Sequence, residues 1–400
     1  MKKKIPFIIL FIILLSYALL VGGTMPYFLL YTYSLFFLVP LIHILIILNK
    51  LNITVKLPNK SLYAGDEITI DYKIDNNTFF HIPYLEIHSH ISKELTKKTP
   101  EKIIKSLRPH ELYTYNETID LKRRGYYELG TVEVIISDVF GIYSLRKKYS
   151  SKTSLLVYPE AIELSNFTIN SVEQMGELSI EDLIFQDRSR IANLRDFREG
   201  DSIKSIHWKL SAKLDDIIIK EYEKRGDAQV IIFVNNYMEY FKKDMDRQLE
   251  DKIVDISLSI INYYINQNIP VYFYTQNNEE IIQLEGHDSS DLKGFLEFLA
   301  RFKANGNIKF NNFLMGNIDN LNKDMTIIII TPVLDKSMGT LGIYLKTKGL
   351  KPLFILALDR ENNIGYLESS VDMGLKEEGI PLYLLDYHTS IKEALEGKNG

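Results

Sequence analysis

Between Pro6 and Leu48 the chain carries no Asp, Glu, Lys or Arg. An uncharged run of that length is stable only if its backbone hydrogen bonds close within helices and its side chains face lipid or a dry core. The apolar density breaks at Gly22-Gly23-Thr24 into two runs, Ile5 to Val21 and Tyr27 to Leu48. As a helix the first run spans about 25 Å; the second is longer and has Pro40 as a place to tilt or kink. The pattern predicts a transmembrane helical hairpin over residues 1–50. Lys2, Lys3 and Lys4 precede it, Lys50 and Lys56 follow it, and the turn between the runs is uncharged. This asymmetry predicts a two-pass protein of the cell membrane, with both termini and the folded domains cytoplasmic and the lipid bilayer as its first partner. A cleaved signal peptide shares the basic start, yet the second run would still anchor the chain. His43, alone in that run, is expected to be partnered or interfacial. In the cytosol the Asn-x-Thr tripeptides at Asn52, Asn76, Asn116 and Asn166 carry no glycan.

The whole chain has 400 residues, 46% hydrophobic and 25% charged, which is room and composition for two or three folded domains. Lys and Arg number 47 against 52 Asp and Glu, a net charge of −5, so no global field favours nucleic acid. Cysteine is absent, which removes disulfides, thiolate zinc sites, iron–sulfur clusters and cysteine nucleophiles together.

From 51 to 160 short alternating runs dominate: Ile53 to Leu57, Glu67 to Ile74, Tyr84 to Ile91, Glu111 to Leu121, Thr131 to Ile136 and Leu155 to Tyr158. Turn residues separate them at Ala64-Gly65-Asp66, Asp75-Asn76-Asn77, Arg123-Arg124-Gly125 and Asp138-Val139-Phe140-Gly141, a spacing that predicts an all-β immunoglobulin-like sandwich. Glu86, His88 and His90 alternate on one strand face, where three such groups suit zinc; a polar solvent face is the more ordinary account.

Residues 161–226 form a linking segment. Glu199-Gly200-Asp201-Ser202 reads as a turn ending in a helix cap, followed by Ile203, Ile206 and Leu210 as an apolar stripe, then Asp215-Asp216 as a break and Ile217 to Glu223 as a strand. The run Arg195-Asp196-Phe197-Arg198-Glu199-Gly200-Asp201 to Ile206-His207-Trp208-Lys209 resembles the signature of the domain of unknown function 58 family. Arg123-Arg124-Gly125-Tyr126-Tyr127, then Asp138-Val139-Phe140-Gly141-Ile142, then Val157-Tyr158-Pro159 resemble the stretch that family members carry upstream. The resemblance implies a bacterial membrane protein with an immunoglobulin-like region and a von Willebrand factor A-like tail, often encoded beside a MoxR-type AAA+ ATPase and a transglutaminase-like protein. It implies no assigned activity. Arg195, Asp196, Phe197, Gly200, Asp201, His207, Trp208 and Lys209 are therefore candidates either for a buried polar and aromatic knot at a domain junction or for a partner-docking patch, since Trp and Arg recur at interaction hot spots. A hydrolase would pair His207 with Asp201 and Ser205 or Ser211, but no Gly-x-Ser-x-Gly elbow occurs.

From 227 to 400 apolar strands alternate with helical stripes. Val230 to Val234, Val271 to Tyr274, Thr326 to Ile330, Leu353 to Leu358 and Leu382 to Leu385 suit a buried parallel sheet, and Leu249, Ile253, Ile256, Ile260 and Tyr264 suit one face of a helix. So do Leu292, Phe295, Leu299 and Phe302, after a cap at Ser289 or Ser290. The pattern predicts a doubly wound α/β domain, consistent with the von Willebrand A-like tail. Such domains hold a cation with Asp-x-Ser-x-Ser after the first strand; here that position reads Asn235-Asn236-Tyr237-Met238-Glu239, a degenerate loop, with weak Mg2+ binding at best. Asp255-Ile256-Ser257-Leu258-Ser259 matches the pattern but falls mid-helix. Thr331 reads as a strand-end turn with Pro332. No phosphate loop, dinucleotide fingerprint or His-Glu-x-x-His occurs, and Gly397-Lys398 lacks the following hydroxyl and helix.

Together these features predict a membrane-anchored cytoplasmic scaffold or adaptor that binds protein partners, among them a MoxR-type AAA+ ATPase, without nucleic acid, resident metal or small-molecule cofactor. The alternative is a hydrolase built on the His207 cluster.

Overall fold

The computed structural model describes residues 5–396 apart from 59–60, 92–94, 96–101, 129–130, 151–153, 166, 170–177, 180–185, 199–204, 215, 225–228, 320 and 324. The chain divides into two compact units, Met1–Lys122 with Tyr126–Val157, and Arg123–Gly125 with Tyr158–Gly400.

The first unit opens with helices α1 (Ile5–Val21) and α2 (Thr24–Lys50), turned at Gly22 and Gly23, both of which hold positive φ. Thr24–Lys50 is long and apolar enough to cross a membrane; α1 is a shorter apolar helix. Most large side chains from Phe7 to Ile42 are exposed, whereas Ile44, Ile47 and Leu48 are buried among the β strands that follow. The helix thus ends inside the unit's core. Leu51 is at once its C-cap and the first residue of β1 (Leu51–Lys56), so no linker separates helix from sheet.

The strands are β2 (Leu62–Tyr63), β3 (Glu67–Asn76), β4 (Ile82–Ser89), β5 (Lys102–Leu107), β6 (Leu112–Asp120), β7 (Gly125–Glu128), β8 (Thr131–Ser137), β9 (Ser144–Ser150) and β10 (Ser154–Tyr158). They form antiparallel sheets in the orders β1-β3-β6 and β5-β4-β8-β9, with a third sheet β2-β10-β7. In β3 the side chains of Ile68, Ile70, Tyr72 and Ile74 alternate inward, as a two-residue period requires. β5 and β9 escape the sequence pattern because both are edge strands carrying Lys102 and Lys105, or Arg146, Lys147 and Lys148, charges that discourage further pairing and break the alternation.

In the second unit short strands β11 (Thr168–Ile169) and β12 (Leu178–Ser179) precede a ribbon of β13 (Gln186–Asp196) and β14 (Ile218–Lys224), with helix α3 (Trp208–Leu214) between its strands. The rest is a six-stranded sheet flanked by helices: β15 (Val230–Val234), α4 (Gln248–Asn266), β16 (Val271–Asn277), β17 (Glu280–Gly286), α5 (Leu292–Arg301), α6 (Phe310–Ile318), β18 (Thr326–Thr331), β19 (Val333–Leu334), α7 (Lys336–Thr347), β20 (Lys351–Leu358), β21 (Tyr366–Leu367), α8 (Ser369–Glu377), β22 (Leu382–Asp386) and α9 (Ile391–Glu396). Its order is β17-β16-β15-β18-β20-β22, parallel except for antiparallel β17. Along β15, Val230, Ile232 and Val234 enter one core with α4, α5 and α9, while Ile231 and Phe233 enter the other with α6, α7 and α8. That arrangement is why β15 reads as an unbroken apolar run. Phe167 and Ile162, from the segment expected to link domains, pack into the first of these cores.

Candidate functional site

Doubly wound sheets place ligands beyond the carboxyl ends of their strands. Here that edge brings together Asn235 and Asn236 after β15, Thr275 and Gln276 of β16, and Thr331 of β18, all buried. Asn235 Nδ2 donates to Thr331 Oγ1 at 2.8 Å, its Oδ1 accepts the Tyr237 N–H at 3.0 Å, and Thr331 Oγ1 donates onward to the Val333 carbonyl at 2.9 Å. Asn236 Nδ2 donates to the Gln276 carbonyl at 2.6 Å, and the Gln276 side chain grips the Ile308 backbone, Nε2 donating to its carbonyl at 2.9 Å and Oε1 accepting its N–H at 3.0 Å. Both groups of the Asn235 amide are thus engaged, whereas the buried Asn236 Oδ1 accepts no hydrogen bond among the described residues. With Asn235 where the first carboxylate would stand, Glu239 paired with Lys242 and the Thr331 hydroxyl already engaged, the donor set does not fit a divalent cation. Among the described residues no group of three His, Asp or Glu is arranged to hold a metal.

The same network fixes the Gly306 loop. Gly306 N–H donates to the Asn236 carbonyl and Met238 N–H to the Gly306 carbonyl, each at 3.0 Å. A Cβ at Gly306 would lie 2.7 Å from Asn236 Oδ1 and 3.0 Å from Gln276 Oε1. Gly306→Ala is therefore expected to destabilise the second unit by about 1–3 kcal/mol, read as a fall in its unfolding temperature.

The expected sites elsewhere are placed as follows. Asp255-Ile256-Ser257-Leu258-Ser259 lies within α4, where Ser257 and Ser259 donate back to the Ile253 and Asp255 carbonyls at 2.7 and 2.6 Å. Glu86 and His88 meet at 2.7 Å, but Glu86 also takes Lys102 at 2.6 Å and Tyr84 at 3.0 Å, so the carboxylate is held by an ammonium, an imidazole and a phenol rather than prepared for a metal. The Lys102 bond leads the effects that keep the Glu86 carboxyl below the ordinary range.

In the signature segment, Gly200 and Asp201 lie outside the described residues, as do Glu199 and the expected cap at Ser202. The described part is an open ribbon and not a buried knot. Trp208 is 65% exposed, and Phe197, Leu194, Leu214 and Ile217 are also exposed. Arg195 is half-buried and donates to the Asp196 carbonyl at 3.0 Å, while Asp196 and Lys209 face solvent. Ile206, expected within the helix, instead bridges Ile219, and α3 begins only at Trp208. His207 explains that start, because its Nδ1 accepts the Leu210 N–H at 3.1 Å, leaving the ring at the head of the helix. Ser211 Oγ accepts the Ile218 N–H at 2.9 Å, tying α3 to β14. His207 and Ser211 thus each serve the local backbone, while Asp201 lies outside the described residues. The ladder continues past β13, where Phe197 N–H donates to the Ile217 carbonyl at 3.0 Å and sets two exposed apolar side chains beside each other.

One constellation escapes a reading of the sequence. Arg124, 2% exposed, donates to the Leu299 and Phe302 carbonyls at 3.0 Å each, pairs with Glu250 at 2.9 Å and meets Asp251 at 3.1 Å. Arg123 pairs with the other Asp251 oxygen at 2.7 Å and donates to the Arg247 carbonyl. Glu250 also accepts from Arg247 and from the Ala304 N–H. Burial works to raise its carboxyl, but the Arg247 bond and both guanidinium charges outweigh it and hold the group below its usual range. One turn on, burial and the neighbouring Asp251 push Asp255 up to about 7 against the pull of Arg124 and Lys252. The adjacent arginines before Gly125 and the Glu250-Asp251 pair are visible in the sequence, but not that they meet.

No family model matches the chain. Over 252 residues it is 23% identical to the uncharacterized protein YeaD of Bacillus subtilis (strain 168), a match covering 62% of this chain and 61% of that protein, so it spans less than two thirds of this relative. Among solved structures, proximal thread matrix protein 1 of the mussel byssus aligns over 42% of the chain and 45% of its own length, at 14% identity and a TM-score of 0.29. The PapD-like domain 7 of human CEP192 aligns over 29% of the chain and 87% of its own, at 14% identity and a TM-score of 0.19. At such scores neither likeness bears on the fold.

Proposed function

We propose that the chain is a two-pass bacterial membrane protein whose cytoplasmic part is a scaffold or adaptor, an immunoglobulin-like sandwich followed by a von Willebrand A-like domain that binds a protein partner. The exposed apolar group on the signature ribbon, Leu194, Phe197, Trp208, Leu214 and Ile217, carries the reading. Large apolar side chains gathered on one exposed element favour a protein contact, with Trp as its natural anchor. The sheet order with its single antiparallel edge strand supports the von Willebrand A-like assignment, and the Asn235 amide, engaged by Thr331 and Tyr237, favours contact through surface over contact through a metal. The length and apolarity of Thr24–Lys50 support the anchor. A MoxR-type AAA+ ATPase is the partner that the signature's resemblance suggests.

The test is crosslinking of the intact protein in its own membrane, then mass spectrometry, with and without ATP depletion. Recovery of an AAA+ ATPase is expected to depend on ATP and to fall at least about tenfold in a Phe197→Ser, Trp208→Ser double variant, the scale of one lost hot spot. Equal recovery from the variant would remove the ribbon from the contact, and no ATPase in either state would remove the proposed partner.

A further inference from the structure

Two loops of the first unit expose large apolar side chains on rigid polar supports. In the first, Phe79 is 79% and Phe80 43% exposed. Beneath them buried Asn76 donates to the Phe80 and Arg108 carbonyls at 2.9 and 2.7 Å and accepts from buried Thr78 at 2.6 Å. The His110 ring stands edge-on to Phe79 at 4.6 Å. In the second, Val139 is 73% and Phe140 60% exposed. There the buried Asp138 carboxylate accepts the Phe140 and Tyr143 N–H groups at 3.3 and 2.9 Å, and Gly141 takes a positive φ of 67° to close the turn. Each loop turns its polar residue inward and its aromatic outward, the reverse of what solubility favours.

Both tips lie against α2. The Phe140 ring packs on Phe36 at 4.9 Å between centroids, and Phe80 meets His43 at 5.2 Å. Ile142 and Tyr143 line an apolar cleft with Phe7, Phe11, Phe37 and Leu41, so the helices' apolar surface runs unbroken onto the second loop. From His43, just before the helix enters the core, back to Phe36 the helix rises about 10 Å. That is the depth, about 5–10 Å, to which interfacial apolar groups enter the headgroup and acyl boundary.

We infer that Phe79, Phe80, Val139 and Phe140 form a membrane-interface foot: they enter the leaflet from which α2 emerges, and the occupant of this surface is lipid. The inference rests on the reading that α2 crosses the bilayer, and the experiment separates the two. The absence of cysteine allows single-site labelling of the full chain. Phe140→Cys, Phe79→Cys, Tyr31→Cys within α2 and Glu67→Cys each receive an environment-sensitive fluorophore, in vesicles of phosphatidylcholine and phosphatidylglycerol containing lipids that quench near the headgroups or deeper. Tyr31, 62% exposed, lies about 18 Å along the helix from His43, well beyond Phe36. Glu67 lies at the far end of β3, about 30 Å along the strand from Asn76. Expected is loss of most fluorescence at Phe140 and Phe79 with the shallow quencher, at Tyr31 with the deep one, and none at Glu67. Quenching at Tyr31 without quenching at either tip overturns the foot and leaves the span intact, whereas no quenching at Tyr31 removes the span and the foot with it. A tip shielded from aqueous iodide yet untouched by either lipid quencher assigns the surface to a protein and overturns the lipid assignment.

Discussion

Arg124→Met is expected to lower the stability of the second unit by about 3 kcal/mol, a fall of roughly 6–12 °C in unfolding temperature for a unit of this size. Methionine fills similar space, so the loss reflects electrostatics more than packing. Without Arg124, the Leu299 and Phe302 carbonyls lose a donor and Glu250, 4% exposed, keeps Arg247 as its remaining cation. Arg124→Lys is expected to recover only part, because an ammonium cannot serve two carbonyls and two carboxylates from one planar fork. Calorimetry of the full-length variants checks both, and a methionine variant as stable as the parent would mean that the cluster contributes nothing net.

The second large effect depends on pH. Asp255 titrates at about 7 in the fold against 3.8 ordinarily, so between those values the folded chain binds a proton that the unfolded chain has released. Stability therefore falls as pH rises through that window, and the full penalty is present above pH 7. Asp255→Asn removes the penalty. It is expected to stabilise by about 2–4 kcal/mol at pH 8 and by less than about 1 kcal/mol near pH 4. Because the other titrating groups are common to both proteins, the difference between their stability profiles isolates this one. A variant with the same advantage at both pH values would place the carboxyl back in the ordinary range.

How far the sequence disclosed this molecule follows from which signals are local. The helix stripe from Leu249 to Tyr264 and the strands from Val230 to Leu385 were legible because burial on one stripe or both faces writes a period into the chain. The edge strands β5, β9 and β17 were not, because Lys102, Arg146, Lys147, Glu280 and Glu285 sit where apolar side chains would mark a strand. At the signature, the apolar spacing of Ile206 and Leu210 suggested one helix, but the His207 bond to the Leu210 N–H begins it later and Ile206 joins a bridge instead. That Asn235 stands where the usual carboxylate would be is read directly from the sequence. That its amide locks onto Thr331, 96 positions away, depends on chain topology, as does the meeting of Arg124 with Glu250.

The direct passage from Lys50 into Leu51 makes α2 and the sheets above it mechanically one lever. A helix answers a thinner or thicker bilayer by changing its tilt. With no flexible joint to absorb the rotation, ten degrees of tilt would swing a point about 30 Å up β3 sideways by roughly 5 Å. With α2 in a bilayer, as proposed, the bilayer's thickness would thereby become a displacement of the sheets.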